Sequence, residues 1–302
     1  MRRFGQHIGE HRPVGRGRAP VPASTLIGAA LISAVLVGSA LPAVATPAPG
    51  SAASFGVWHP QDDYAGSQIA IHEGTTGQNG SNAQDLPGTA GAPTGVPLGL
   101  DVSGHQGAID WGSVSSGGGS FAYIKATEGT YYTNPDFAQQ YNGSYSSGLV
   151  RGAYHFATPN TTDGVSQADY FLAHGGGWSN DGKTLPPAID LEYNPYGDTC
   201  YGLTPAALVA WIHAFVNEMK AHIGIYPTIY TSTTWWSTCT GNDSSFGADP
   251  LWIPRYGSSV GTLPAGWSTQ AVWQYADSGT FPGDQDSYNG SAAQLRDFAS
   301  HG

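Results

Sequence analysis

Ala188-Ile-Asp-Leu-Glu192, then Thr204-Pro-Ala-Ala-Leu-Val-Ala-Trp-Ile-His-Ala-Phe-Val-Asn-Glu-Met-Lys-Ala-His-Ile-Gly224, then Thr228-Ile-Tyr230 read as strand, helix and strand. Thr204 suits an N-cap and Pro205 the first helical position, while Leu208, Trp211, Ile212, Phe215 and Met219 recur at helical spacing on one apolar face. Gly224 ends the run. A helix between two short apolar strands carries the chain back over the sheet, so those strands lie parallel.

The same alternation extends upstream. Strands are expected at Leu98–Val102, Phe121–Lys125 and Val150–Phe156, with helices near Trp111–Ser116, Asp136–Ser146 and Ser166–His174. Downstream of Tyr230 the rhythm breaks. Leu251–Ile253, Ala271–Tyr275 and a short piece at Asp284 read as strands with no long helix between them. The expected fold is α/β, an incomplete TIM-like barrel of five βα units followed by three strands with weak connections, occupying 99–302.

Residues 1–45 read as a signal peptide: five arginines, an apolar run from Leu26 to Leu41, then Ala43-Val44-Ala45 as a small-x-small cleavage site. The run is short and rich in Gly, Ala and Ser, which disfavours a membrane span. Residues 46–98 read as a Gly/Pro/Ser-rich linker or pro-segment. Within them Trp58-His59-Pro60 and His72-Glu73-Gly74 are pieces able to dock on the barrel, but the preferred expectation is a mobile segment. No repeat of 20–50 residues recurs.

Charged residues make up 11% of the 302-residue chain, which excludes coiled coils and highly charged disorder. Beyond residue 45 there are six basic and 21 acidic residues, a formal net charge of −15. Such a surface repels phosphate backbones and anionic bilayers, so neither nucleic acid nor membrane is an expected partner. Cys200 and Cys239, a lone pair in an exported chain, are expected to form a disulfide.

Asp190 and Glu192 stand at i and i+2 of a strand and so project to one side. At the C-terminal end of a barrel strand that side is the mouth, where active sites form. Two such close carboxyls cannot both ionise freely, and a raised pKa is what an acid for glycosidic cleavage needs. Asp-x-Glu alone is common, and a solvated strand end would look the same. Asp101 ends the first strand and Asp284 would begin the last, so closure would gather Asp101, Asp190, Glu192 and Asp284. With no Lys expected nearby, four acids also suit a cation; catalysis is the preferred reading, with no metal and no cofactor. The six His residues of 99–302 show no His-Glu-x-x-His or comparable zinc spacing, Gly117–Gly119 lacks the Lys of a phosphate-binding loop, and His155 reads as a hydrogen-bonded core histidine.

Gly99-Leu-Asp-Val-Ser-Gly-His-Gln-Gly107, Ile109-Asp-Trp111, Phe121-Ala-Tyr-Ile-Lys-Ala-Thr-Glu-Gly129, Gly152-Ala-Tyr-His-Phe156, Asp190-Leu-Glu192, Ile229-Tyr-Thr231, Val272-Trp-Gln-Tyr275 and Tyr288-Asn-Gly290 resemble the family 25 glycoside hydrolases, in the family's order. The resemblance implies a muramidase (lysozyme) that cuts the β-1,4 bond between N-acetylmuramic acid and N-acetylglucosamine in peptidoglycan. It also implies the incomplete barrel just described. It gives Glu192 the general-acid position, Asp190 the adjacent carboxylate, and Asp101 and Asp284 the other acids of the groove. Phe281-Pro-Gly-Asp-Gln-Asp286 is shorter than the family's usual loop; spacing to Tyr288-Asn-Gly290 favours Asp284 over Asp286. Tyr154, Tyr230, Trp252, Tyr256 and Gln274 stand near strand ends, suited to sugar stacking and polar contact, and equally to the core. The expected product is a secreted, extracellular monomer whose partner is the glycan strand of peptidoglycan. The alternatives are a hydrolase of another N-acetylated glycan such as chitin, or a glycan-binding module without catalysis.

Overall fold

The computed structural model describes residues 50–74 and 91–302. The expected signal peptide lies outside the described residues. Among those described, no helix is long and apolar enough to cross a membrane.

A 3-10 turn at Ala52–Phe55 and a short helix α1 (Ile69–Glu73) precede the sheet. Then come β1 (Leu98–Val102), α2 (Trp111–Ser116), β2 (Gly119–Glu128), β3 (Tyr132–Thr133), α3 (Phe137–Ser146), β4 (Val150–Phe156) and α4 (Gly164–Ala173). They are followed by β5 (Ala188–Asp190), α5 (Pro205–Ile223), β6 (Thr228–Tyr230), α6 (Thr233–Thr240), β7 (Leu251–Pro254), β8 (Val272–Ala276), β9 (Asp284–Tyr288) and α7 (Ala292–His301).

The sheet runs β1-β9-β8-β7-β6-β5-β4-β2, and β1 also pairs with β2, so the ring closes; β3 is a short addition on β2. Closure by hydrogen bonds all round replaces the imperfect closure expected from the sequence. It is achieved by reversing one strand. The pairs from β1–β2 round to β7–β8 are parallel, whereas β9 is antiparallel to both β8 and β1.

The period of two along each strand sorts the core into layers. Phe121, Tyr123, Tyr154, Ala188, Tyr230, Trp252, Val272 and Tyr288 fill the barrel interior. Ala153, Ile189, Leu191, Ile229 and Ile253 face outward and pack under α4, α5 and α6 with Phe171, Leu208, Ile212, Phe215 and Trp236. Helix α5 starts as its sequence dictates: the Thr204 side chain accepts from the Ala207 N–H, Pro205 opens the helix, and Gly224 closes it in the left-handed region. Two helices go beyond the sequence reading. Ser232 caps α6, and α7 begins with a reciprocal capping box between Ser291 and Gln294. Cys200, in the loop after β5, is bonded to Cys239 of α6, as expected from the pair.

Residues 50–74 pack against the barrel. Val57, Asp63, Ala65 and Ile69 are buried. This overturns the expectation of a mobile segment, and both docking pieces make contact: the Pro60 carbonyl accepts from Lys125 and Glu73 accepts from Tyr193, while the Trp58 side chain stays 65% exposed.

Candidate active site

Every parallel strand ends at the same mouth. Its inward side chains there are Asp101 from β1, Lys125 from β2, Tyr154 from β4, Asp190 from β5, Tyr230 from β6 and Gln274 from β8. Because β9 runs the other way, its first residue serves this end. Asp284 stands opposite Asp101, while Asp286 stands opposite Gly99, one layer deeper. Asp286 accepts the Trp252 indole N–H at 2.9 Å, inside the barrel. The register therefore puts Asp284 nearer the mouth. Glu192 lies just past the end of β5, and Asp190 and Glu192 are both wholly buried.

Gln274 links the parts. Its Nε2 donates to Asp101 Oδ2 at 2.8 Å and to the Ala65 carbonyl at 2.9 Å. Its Oε1 accepts from the Tyr230 hydroxyl at 2.8 Å and the Tyr256 hydroxyl at 3.0 Å. The Tyr154 hydroxyl accepts the Ala65 N–H at 3.2 Å. Trp252 is fully buried, stacked on Tyr123 with ring centroids 4.7 Å apart, so it builds the interior floor. The five aromatic and amide candidates thus form one connected layer, with Trp252 at its base.

Burial pushes the pKa of all five acids upward. Asp101 rises to about 7, opposed by the Gln274 hydrogen bond. Asp190 is held well above the usual carboxyl range by burial and then by the charge of Glu192, with Lys125 opposing. Glu192 is pushed up to about 8 by burial, against the pull of two backbone N–H groups. Asp284 and Asp286 are raised by burial and then by Asp101. Neither oxygen of Asp190 has a hydrogen-bond partner in the protein, and Oδ2 of Asp284 also lacks one. Acids this close share protons rather than ionise together. The site can therefore hold a proton on one carboxyl and a charge on another at neutral pH.

Two features lie outside the sequence reading. Lys125 is fully buried beside the acids, bonded at 2.6 Å to Glu128, whose own pKa burial raises to about 8. This corrects the expectation of a cluster with no Lys nearby, and an ammonium in the wall weakens the case for a cation. An inward Lys on β2 was legible in the two-residue alternation Phe121, Tyr123, Lys125. The second feature is the upstream segment: the Gly66 and Gln68 N–H groups donate to Glu192 Oε1 and Oε2 at 2.8 and 3.0 Å. His155 is the core histidine expected, between Thr127 and Gln167 at 2.8 and 3.0 Å.

A closed α/β barrel gathering proton-sharing carboxyls at its C-terminal mouth has the build of a glycan-cleaving barrel hydrolase. The family model described as glycosyl hydrolases family 25 matches residues 100–284, and the chain belongs to that family. It is accordingly a glycoside hydrolase. Lysozyme M1 of Streptomyces globisporus is 43% identical over 255 residues, 82% of this chain and 87% of that protein. That match is longer than 98–302 can hold, so it reaches into the upstream segment. The N,O-diacetylmuramidase of Chalaropsis sp is 47% identical over 206 residues, 67% of this chain and 98% of its own. The bacterial lysozyme structure from Streptomyces coelicolor is 45% identical with a TM-score of 0.67, covering 69% of this chain and 99% of that one.

Proposed function

We propose that the chain is a secreted, monomeric muramidase cutting the β-1,4 bond between N-acetylmuramic acid and N-acetylglucosamine in peptidoglycan. The observation that carries this is the buried pair Asp190 and Glu192 at the end of β5, the former with both oxygens unpartnered. The names of the relatives, lysozyme and N,O-diacetylmuramidase, support the choice of glycan. Residues 1–45 are the leader, 46–98 a pro-segment and 99–302 the catalytic domain, whose barrel we read as five βα units followed by three strands.

Glu192 is the general acid. Its raised pKa keeps a proton available at neutral pH, and that proton passes to the glycosidic oxygen as its bond to the anomeric carbon breaks. The substrate's 2-acetamido oxygen forms the new bond to that carbon, with Asp190 accepting the acetamide N–H and so orienting and polarising the group. Water then attacks the anomeric carbon and breaks its bond to the acetamido oxygen, regenerating the acetamide, while the proton of the water passes to the Glu192 carboxylate. Asp101, held by Gln274, and Asp284 opposite it form the facing wall of the groove, and Tyr154 and Tyr230 supply hydroxyls. The two inversions at the anomeric carbon give net retention.

Mass spectrometry of the ends released from purified peptidoglycan tests the bond chosen; muramic acid at the reducing end is expected, and turnover of chitin alone would reject it. NMR of the first product tests the route, since initial release of the inverted anomer would make one acid a base acting on water.

A further inference from the structure

The mouth of the barrel is occupied by the chain's own upstream segment. Both oxygens of Glu192 accept N–H groups of Gly66 and Gln68, and the Ala65 amide is held on both sides, by Tyr154 and Gln274. Lys125 donates to the carbonyls of Pro60 and Asp63, and the Tyr196 hydroxyl donates to the Asp63 carboxylate. At the far end Glu73 accepts from Tyr193 at 2.8 Å and from Ser232, while His72 stacks on Tyr193 at 4.2 Å. Ile69 adds an apolar anchor at 1% exposure.

Gly66 fits this place for two reasons. Its φ of +97° lies in the left-handed region, and a Cβ there would stand 2.3 Å from the Tyr256 hydroxyl and 2.9 Å from Asp284 Oδ2. The backbone is thus pressed among the very acids that a glycan must reach. Its amide N–H and C=O groups are the kind that an N-acetylated sugar also offers. A general acid whose two oxygens are both engaged, beneath a buried segment, has no leaving oxygen within reach.

We propose that residues 57–73 are an inhibitory strap that keeps the chain latent, and that severing the strap from the barrel yields the active enzyme. This rests on the reading of the mouth as the catalytic site. Tethering explains why cutting matters. While joined to the barrel the strap competes at an effective concentration of order millimolar; once cut, it is diluted to the concentration of the enzyme itself. The cut is an ordinary peptide-bond hydrolysis, water supplying OH to the new carboxyl end and H to the new amine.

The test uses the chain from Thr46 onward with a site for a sequence-specific endopeptidase written into 75–90, assayed on soluble peptidoglycan fragments before and after cutting. Cutting should raise kcat/KM by about tenfold or more. Gly66→Val and Gln68→Pro, which leave the barrel untouched, should raise the uncut rate in the same direction, the first by displacing the strap and the second by removing one donor to Glu192. A synthetic peptide of residues 57–74 should inhibit the cut enzyme competitively, and its Gly66→Val version should not. Equal rates before and after cutting, or an uncut Gly66→Val chain no faster than the parent, would overturn the proposal. If no form cleaves any glycan, the muramidase reading fails, and calorimetry judges the strap. Saturable binding of the peptide to the cut barrel, lost with Gly66→Val, upholds it; no binding overturns it.

Discussion

Gln274 uses every hydrogen-bonding position of its amide: two N–H groups on Asp101 and Ala65, and one oxygen shared by two tyrosines. Gln274→Leu leaves these buried partners unmatched, and each such loss costs roughly 1–3 kcal/mol. Because the Gln274 bond holds the Asp101 pKa down against burial, its removal sends that pKa higher. The expected outcome is a lower melting temperature together with a pH–rate limb displaced upward, and a merely structural role would leave the limb in place. Glu192→Gln keeps shape but removes the transferable proton, so turnover should fall roughly 10²–10⁴-fold while glycan binding in calorimetry survives. The acids themselves were legible in the sequence because strand alternation and strand ends locate inward carboxyls. What ties Asp101 to the tyrosines was not, since Gln274 finds its hydrogen-bond partners only far along the chain.

At the level of elements, agreement is closest where local chemistry is explicit. β1, α2, β4 and β6 have the boundaries expected, and α5 carries its cap, its proline and its glycine in sequence order. α6 escaped because Thr233-Thr-Trp-Trp-Ser-Thr-Cys-Thr240 is built from residues of low helix propensity, and packing of Trp235 and Trp236 decides it. α7 was signalled by Ser291 and Gln294, whose three-residue spacing is the local mark of a capping box. Replacing Thr204 by Ala should cost about 1 kcal/mol, measured by denaturant unfolding. Changing Cys200 and Cys239 together to Ser reopens a loop of sequence separation 39 and should cost roughly 4 kcal/mol in the chain-entropy view, with the site still competent. Thiol titration finding two free cysteines in the native protein would contradict the bond. The strap was half visible: the composition of 46–98 as a whole suggests a linker or pro-segment, and within it Trp58-His59-Pro60 and His72-Glu73-Gly74 stand out as pieces able to dock.

Over the whole molecule, the titration of the site gives stability a pH dependence. Asp101, Asp190, Glu192, Asp284 and Asp286 all have raised pKa values in the fold. The folded state favours their protonated forms, so the associated stability is present below the unfolded carboxyl pKa, near ~4, and is lost as pH rises through the folded values. His155, lowered to about 3 by burial, works the other way, losing stability as pH falls below ~6.5. Five carboxyls outweigh one imidazole between these limits. The melting temperature should therefore fall between pH 5 and pH 8 by scanning calorimetry, and a rise over that interval would show that these acids do not stay protonated in the fold. The ring closure has a further consequence, in time rather than in space. Asp284 reaches Asp101 only through pairing of the last strand with the first, so a growing chain carries no complete site until nearly its final residue has been made. The residues of the strap are synthesised long before the acids they cover. An inhibitor thus always precedes the activity it restrains, and the cell never holds a finished barrel from this chain without it.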